Sequence, residues 1–451
     1  MLEQYTSSFI GKKVGFIGCG ISNMPIVEML SAVGIPLTVR DKKDAIANSE
    51  RLTELGVRII NGSGYLDNIY EDVIFLSPAV RDDLPELLRA KENGTVLTTE
   101  TEEFFKLCKE KLDRTVTIAV TGSDGKTTTT TLIAEILKAS GKRVHIGGNI
   151  GKNLLSTLDD IQNGDIIVAE LSSFQLMKMS VSPDIAVVTN VTPNHLDWHR
   201  DMEEYKEAKT NIFAFQNKNG RLVLCYDDLT TRSFAERAKG SVTFFSGEKR
   251  LNDGIYFTEK GIFKEDELIL ADEDIFLVGR HNRYNYAAAI AATEGMATKE
   301  GILSVAKRFG GVEHRLEFVR ELDGVKYYNS SMDSSPTRTA ACLSSFKNKV
   351  IIICGGSDKN IPLEPLGPLF ADKAKAVILM GATAEKIELI LKEIGYTEYH
   401  RVKSLNEAVI KARSLAHDGD CVVLSPAAAS FDMFVNFAER GNIFKDNVNL
   451  L

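Results

Sequence analysis

The sequence predicts an α/β protein built from three parallel-sheet domains. Short apolar runs alternate with helical stretches from one end of the chain to the other, the pattern of βαβ units around parallel sheets. A Gly-Lys-Thr loop stands between an apolar run and a helical stretch near residue 122. The 451 residues also exceed what one ordinary core organises.

The first segment, residues 1–98, opens with KKVGFIG as a strand, SNMPIVEMLSAVG as a helix and IPLTVRD as a second strand, with DVIFLSP as a later strand ending on a turn. The second, residues 99–311, contains RTVTIAVTGSDGKTTTTTLIAEILKASG, read as strand, loop and helix. DIIVAELSSFQL and DIAVVTNVTPNH follow as buried strands with polar loops. Residues 220–275 look less regular and are expected to be antiparallel, before a small-residue helix HNRYNYAAAIAATEGMA. The third segment, residues 312–451, begins after Gly310-Gly311 and offers VKYYN, KVIIICGG, KAVILMG and DCVVLSP as strands. In such sheets ligands collect at the carboxyl ends of the strands, where the polar motifs of all three segments lie.

Composition narrows the function. The formal net charge of -8, with no basic stripe, argues against a nucleic-acid partner. The six cysteines form no CxxC pair or metal-ligand spacing, and several sit inside apolar runs. A reducing, cytoplasmic setting is therefore expected. No apolar run reaches the roughly 18–20 residues of a membrane span.

The strongest motif is Thr121-Gly122-Ser123-Asp124-Gly125-Lys126-Thr127-Thr128. Glycines let backbone N–H groups face a phosphate chain, and the following helix start adds its positive dipole end. Lys126 is placed to reach the β- and γ-phosphates and the Thr127 hydroxyl to ligate Mg²⁺. Val120 stands where the usual P-loop has its first glycine, so the pattern is a GxxGKT variant. This makes the middle segment a P-loop ATPase-type domain. Glu170 and His195 close or follow the next two apolar runs, where they could ligate Mg²⁺. Read alone, the first is a helix cap and the second an ordinary loop histidine. Lys209, on EEYKEAKTNIF, reads by itself as a solvated helix lysine.

In the first segment Gly18-Cys19-Gly20-Ile21-Ser22-Asn23, with Asp41 further on, approaches a dinucleotide fingerprint and makes the domain Rossmann-like. Asn23 replaces its third glycine. A hydride-transferring enzyme would use this loop but leave the P-loop without a job. The third segment, also Rossmann-like, carries His314-Arg315, Gly355-Gly356-Ser357-Asp358-Lys359 and Ser425-Pro426-Ala427-Ala428-Ala429-Ser430-Phe431. Arg315 suits a phosphate and Lys359 a carboxylate.

Taken together, GxxGKTT, GGNIG (Gly147 to Gly151), ELSSFQL, TPNHLD, EAK, HNxxN, HR, SPAxAS and the Glu439-Arg440-Gly441 tripeptide resemble the Mur ligase family. Within it they are most similar to the ligases that add D-glutamate to UDP-N-acetylmuramoyl-L-alanine in peptidoglycan synthesis. The resemblance spans essentially the whole chain. It implies three domains, with residues 1–98 for the UDP-linked substrate, 99–311 for ATP and 312–451 closing over ATP and D-glutamate. Ser22, Asp41 and Ser77 would hold the uridine nucleotide, and Asn149, Ser172 and Gln175 the muramoyl part. Gly122, Ser123, Asp124, Gly125, Lys126, Thr127 and Thr128 would bind ATP, with Thr127 and Glu170 on one Mg²⁺. His195 and Lys209 would serve a second Mg²⁺, with Lys209 carbamylated. Asn285, His314 and Arg315 would hold ATP, and Lys359, Ser430 and Phe437 D-glutamate. A monomer with no nucleic-acid partner is expected.

Two positions depart from the family pattern. Relatives read NDSKAT where this chain has Asn329-Ser330-Ser331-Met332-Asp333-Ser334, so Ser330 replaces an aspartate and Met332 a lysine, leaving Asp333 as a candidate substitute. Asp124 stands where asparagine is frequent. The alternatives that stay open are another Mur-type or folylpolyglutamate synthase-like ligase, and a regulatory relative that has lost catalysis.

Overall fold

The structure is a computed structural model and describes residues 1–46, 48–112, 114–150, 153–359 and 361–451. Gly151, the last residue of the GGNIG motif, lies outside the described residues. The chain forms two compact units. One comprises Met1–Asp272 and Tyr284–Val305, the other Glu273–Arg283 and Ala306–Leu451.

The first unit holds two sheets. Strands β1 (Val14–Ile17), β2 (Leu37–Asp41), β3 (Arg58–Asn61), β4 (Val73–Leu76) and β5 (Val96–Thr98) pair in the order β3-β2-β1-β4-β5, all parallel. The order reverses at β1, and the Gly18–Asn23 loop leaves β1 at that switch point, where open α/β sheets hold their ligands. β1 and β4 are buried throughout, as strands covered on both faces require. Arg40 of β2 is fully buried against Glu71, and also donates to the carbonyls of Tyr65, Asp67 and Asn68. Every guanidinium proton pointed at an acceptor makes this ion pair tolerable in the interior; removing one partner would cost about 3–5 kcal/mol.

The central sheet comprises β6 (Val116–Thr121), β7 (Val144–Gly148), β8 (Ile166–Glu170), β9 (Ile185–Val188), β10 (Arg221–Cys225), β11 (Ser241–Ser246), β12 (Gly254–Thr258), β13 (Gly261–Lys264) and β14 (Glu267–Ala271). Its order is β14-β13-β12-β11-β10-β9-β6-β8-β7. The expectation of an antiparallel region over residues 220–275 holds only for its end. β10, β11 and β12 extend the parallel sheet, and only β12, β13 and β14 form an antiparallel meander. RLVLC and SVTFFS carry the apolar content of sheet strands, but the helical connection between them is short, which hid the βαβ rhythm. One apolar core, from Phe16 and Phe75 through Phe104 and Phe105 to Ile167 and Phe213, runs under both sheets. The helix Glu100–Lys111 that follows β5 starts on Thr99, whose hydroxyl accepts from the Glu102 N–H, and has acids in its first turn and lysines in its last.

The second unit has one six-stranded sheet: β15 (Glu317–Leu322), β16 (Val325–Asn329), β17 (Val350–Cys354), β18 (Ala374–Leu379), β19 (Tyr399–Arg401) and β20 (Cys421–Leu424), ordered β15-β16-β20-β17-β18-β19. All pairs but β15–β16 are parallel, and each face has its own apolar cluster. Four of these strands are those expected from sequence; β15 and β19, exposed or mixed in burial, lacked the apolar signature. Among the described residues no helix is long and apolar enough to cross a membrane.

Candidate active site

The loop from Gly122 to Gly125 joins β6 to the helix Lys126–Ala139. Gly122 has φ +150° and Gly125 φ +78°, and a methyl group on either would collide, with Thr189 and Asn285 respectively. The loop is tied from outside as well. The Asp124 N–H donates to Asn190 Oδ1 at 2.9 Å, and the Asp124 carbonyl accepts from Thr189 Oγ1 at 2.6 Å. Ser123 Oγ donates to the Thr192 carbonyl at 2.8 Å and lies 2.9 Å from the Tyr205 hydroxyl. Asp124 is thus held by its backbone while its side chain is exposed. Lys126 Nζ bends back over the loop, donating to the carbonyls of Gly122 at 2.9 Å and Ser123 at 2.8 Å. Thr129 Oγ1 donates to Asn285 Oδ1 at 3.2 Å, so the helix bearing Asn285 packs on the loop's own helix.

Glu170 ends β8, beside β6. Its Oε1 accepts from Asn149 Nδ2 at 2.7 Å, whereas Oε2 is buried without a hydrogen-bond partner. A buried carboxylate oxygen left bare is costly unless a cation completes it. That fits the donor set expected for Mg²⁺: Glu170 with the Thr127 hydroxyl. Among the described residues no three His, Cys, Asp or Glu side chains converge as a metal cage. A cation held here would therefore complete its shell with water and phosphate oxygens, as Mg²⁺ does in nucleotide sites.

Lys209 is not the solvated lysine its helix pattern suggests. On the helix Met202–Ala214 it is buried, its Nζ donating to the Gly122 carbonyl at 2.9 Å and lying 4.5 Å from the Tyr205 ring centroid. Burial, and then the nearby Lys126 charge, push its pKa well below the ordinary lysine value, with Asp124 opposing. A neutral amine is the form that reacts with CO₂. His195 has φ +55° and is likewise lowered, by burial first and then by Lys126. Lys126, Lys209 and His195 thus share one electrostatic neighbourhood.

On the Rossmann-like sheet, Ser77 follows β4 and its N–H donates to the Ile17 carbonyl at 2.9 Å, next to Gly18. Asn23 Nδ2 donates to the Gly18 carbonyl at 2.7 Å, so the residue replacing the third glycine staples the loop shut. The Ser22 carbonyl accepts from Asn153 Nδ2 at 2.7 Å, and Asp41 ends β2 with Oδ1 accepting from the Lys43 N–H. Ser172 and Gln175 form a capping box on a short helix, and Gln175 Nε2 donates to Thr101 at 3.2 Å. Both side chains are therefore engaged in local structure.

The second unit gathers the remaining residues in two groups. His314, buried with φ +63°, has Asn329 Nδ2 3.0 Å from its Nδ1 and lies edge-on to Phe437. Arg315 Nη2 lies 3.5 Å from Met332 Sδ. Lys359 Nζ is 3.2 Å from Ser334 Oγ, and Ser430 is buried at the end of the alanine loop. Asp333 faces inward, accepting from Ser425 Oγ at 2.8 Å, and burial raises its pKa. A raised carboxyl pKa favours the folded state below the ordinary aspartate range and loses that advantage as pH rises through the folded value. Asp333→Asn is accordingly expected to match or exceed the parent's Tm at neutral pH, and to be overtaken in acid. A thermal scan against pH checks this. Arg440, of the Glu-Arg-Gly tripeptide, is buried and spans the carbonyls of Ser331, Ala428 and Ala429.

Sequence reasoning missed Thr189, Asn190 and Tyr205, which hold the Gly122–Gly125 loop. The pairing of β9 with β6 brings Thr189 and Asn190 there, and the helix Met202–Ala214 brings Tyr205; neither placement is visible in the local sequence.

Comparison with known proteins identifies the family. The Mur ligase middle domain matches residues 120–293, and the Mur ligase glutamate ligase domain residues 314–428. A UDP-N-acetylmuramoylalanine–D-glutamate ligase of Acetivibrio thermocellus is 47% identical, covering 99% of this chain and 98% of its own. Its counterpart in Ruminiclostridium cellulolyticum is 44% identical over 100% and 99%. Among solved structures, the UDP-N-acetylmuramate–alanine ligase of Thermotoga maritima superposes with TM-score 0.59 at 19% identity, covering 97% of this chain and 99% of its own. A UDP-N-acetylmuramoyl-L-alanyl-D-glutamate–2,6-diaminopimelate ligase does so with TM-score 0.56 at 19% identity, over 91% and 86%. These two establish the three-domain fold, and the full-length identities establish the descent: the chain belongs to the Mur ligase family.

Proposed function

We propose that this chain is an ATP-dependent ligase that joins D-glutamate to UDP-N-acetylmuramoyl-L-alanine in the cytoplasm, as a step of peptidoglycan synthesis. What carries the reading is the phosphate loop, backed by Glu170 and Lys209, in a chain whose full-length relatives bear that activity in their names. Residues 1–98 bind the uridine nucleotide through Ser22, Asp41 and Ser77. Residues 99–311 bind the muramoyl part through Asn149, Ser172 and Gln175, and ATP through the loop and Asn285. Residues 312–451 carry His314 and Arg315 for ATP, and Lys359, Ser430 and Phe437 for D-glutamate. The protein acts as a monomer.

The L-alanine carboxylate attacks the γ-phosphorus of ATP, the bond to ADP breaks, and an acyl phosphate forms. The D-glutamate amine then adds to the acyl carbon, loses a proton, and inorganic phosphate leaves as the amide closes. No protein nucleophile is required. The chain positions the reactants and neutralises charge that builds on the transferring phosphoryl group. Lys126 turns from its loop carbonyls to the phosphate oxygens, and the loop N–H groups hold the chain in line. Thr127 and Glu170 would hold one Mg²⁺, and His195 with a carbamylated Lys209 a second; such ions would neutralise phosphate charge. Carbamylation converts the neutral Lys209 amine into an anionic ligand.

Phosphate release from ATP with UDP-N-acetylmuramoyl-L-alanine is the test, offering D-glutamate, L-glutamate, L-alanine and diaminopimelate separately. Release with D-glutamate alone, and a product heavier by one glutamyl residue, is expected. Release with another amino acid would overturn the specificity. Silence with all four would leave a regulatory relative, the reading that Ser330 and Met332 keep alive.

A further inference from the structure

His195 is the one residue of the proposed cation-binding set in a left-handed backbone conformation, which a non-glycine residue holds only when its surroundings impose it. The imposition is visible. The N–H groups of Trp198 and His199 both donate to the His195 carbonyl, at 3.1 and 3.0 Å. Whatever fixes Trp198 and His199 therefore fixes His195. Trp198 is held by the segment that follows Ser77: its Nε1 donates to the Ala79 carbonyl at 2.9 Å, its own carbonyl accepts from Arg81 Nη1 at 3.2 Å, and the Arg81 guanidinium lies 5.1 Å from its ring centroid. Arg81 forks onto Glu204 at 3.0 and 2.7 Å and onto Asp83 at 2.8 and 2.7 Å, and Arg200 pairs with Asp83 as well. Phe174 stacks on His199 and meets the rings of His195 and Trp198 edge-on.

We propose that Arg81 and Trp198 are positioning residues that set His195 for the reaction, strapping its loop to the segment 78–83 that follows β4. Neither is assigned a contact with substrate. A guanidinium fork that satisfies two carboxylates and one carbonyl fixes direction as well as distance, which a lysine's point charge would not. The strap also joins the loop beside the uridine-binding Ser77 to the cation side of the site. The inference rests on the reading of His195 given above.

The test is a double-mutant cycle in the full-length chain, combining Arg81→Met with His195→Ala. It is read by kcat and by the affinity for Mn²⁺–ATP from water-proton relaxation, which needs no acceptor and no turnover. Arg81→Met alone is expected to lower kcat and weaken Mn²⁺–ATP by about tenfold, the scale of a residue supporting a metal-binding side chain. In the His195→Ala background it should add no further loss, because its effect passes through His195. Trp198→Phe, which removes the indole N–H with its five-membered ring but keeps an aromatic side chain there, should behave likewise and decides the matter should Arg81→Met fail to fold. Equal losses in both backgrounds, as general destabilisation would produce, or no loss in either, would overturn the positioning role alone. An unaffected His195→Ala would overturn it together with the assignment of His195.

Discussion

Replacing Lys126 with alanine is expected to lower turnover by on the order of 10²–10³, the range for losing one preorganised charge from a water-poor site. The ammonium lies against the carbonyls of Gly122 and Ser123, so phosphate oxygens replace acceptors it already has and little reorganisation is needed. The glycines and the Thr189 and Asn190 anchors remain in the variant, so the loop should keep its shape and ATP should still bind, more weakly. The loss should therefore fall mainly on kcat. Removing the charge has a second consequence, because Lys126 helps to depress both Lys209 and His195. Both groups should titrate at higher pH in the variant, and NMR titration of His195 reads that shift. Steady-state ligation within a few-fold of the parent would sink the assignment of the loop.

Lys209→Met should move activity and stability in opposite directions. Activity should fall by a similar on the order of 10²–10³, since a thioether supplies neither a carbamate nor any other anionic ligand. Stability should rise. The folded pKa of Lys209 lies well below 10.5, with burial the largest cause. Between the two values the unfolded chain binds more protons, so stability of the parent climbs with pH across that window and is lowest beneath it. Methionine of similar volume carries no such penalty. The Tm gain of the variant should be largest below the folded pKa and shrink as pH approaches 10.5. Thermal scans at several pH values in CO₂-free buffer check this, since a carbamate would hide the penalty. A Tm equal to or below the parent's throughout would show that the folded chain stabilises the charged amine.

Much of this protein could be read without coordinates. The strands around VGFI, VTIAVT, IIVAE and VIIIC are buried on both faces and announce themselves by unbroken apolar content. The glycine positions of the phosphate loop were legible because positive φ and close approach leave few alternatives. Glu170 was visible as the polar residue that ends the run IIVAE, whereas His195, several residues past the end of β9, reads alone as an ordinary loop histidine. β10 and β11 were not legible, because β10 joins the parallel sheet by pairing with β9, and β11 by pairing in turn with β10, contacts that local sequence does not record.

Local sequence was enough for the βαβ architecture, for the glycine loop before the helix Lys126–Ala139 and for the family. These rest on local propensity, periodicity and motif spacing, which neighbours along the chain specify. Tertiary structure alone decided that Lys209 is buried against a loop carbonyl rather than solvated, that one oxygen of Glu170 is left bare, and that Asp333 turns inward to Ser425. It also decided that Arg81 reaches Glu204 and Trp198. Each depends on desolvation or on partners distant in the chain. The charge state and availability of a side chain follow from what surrounds it in space, which its place in the sequence does not record.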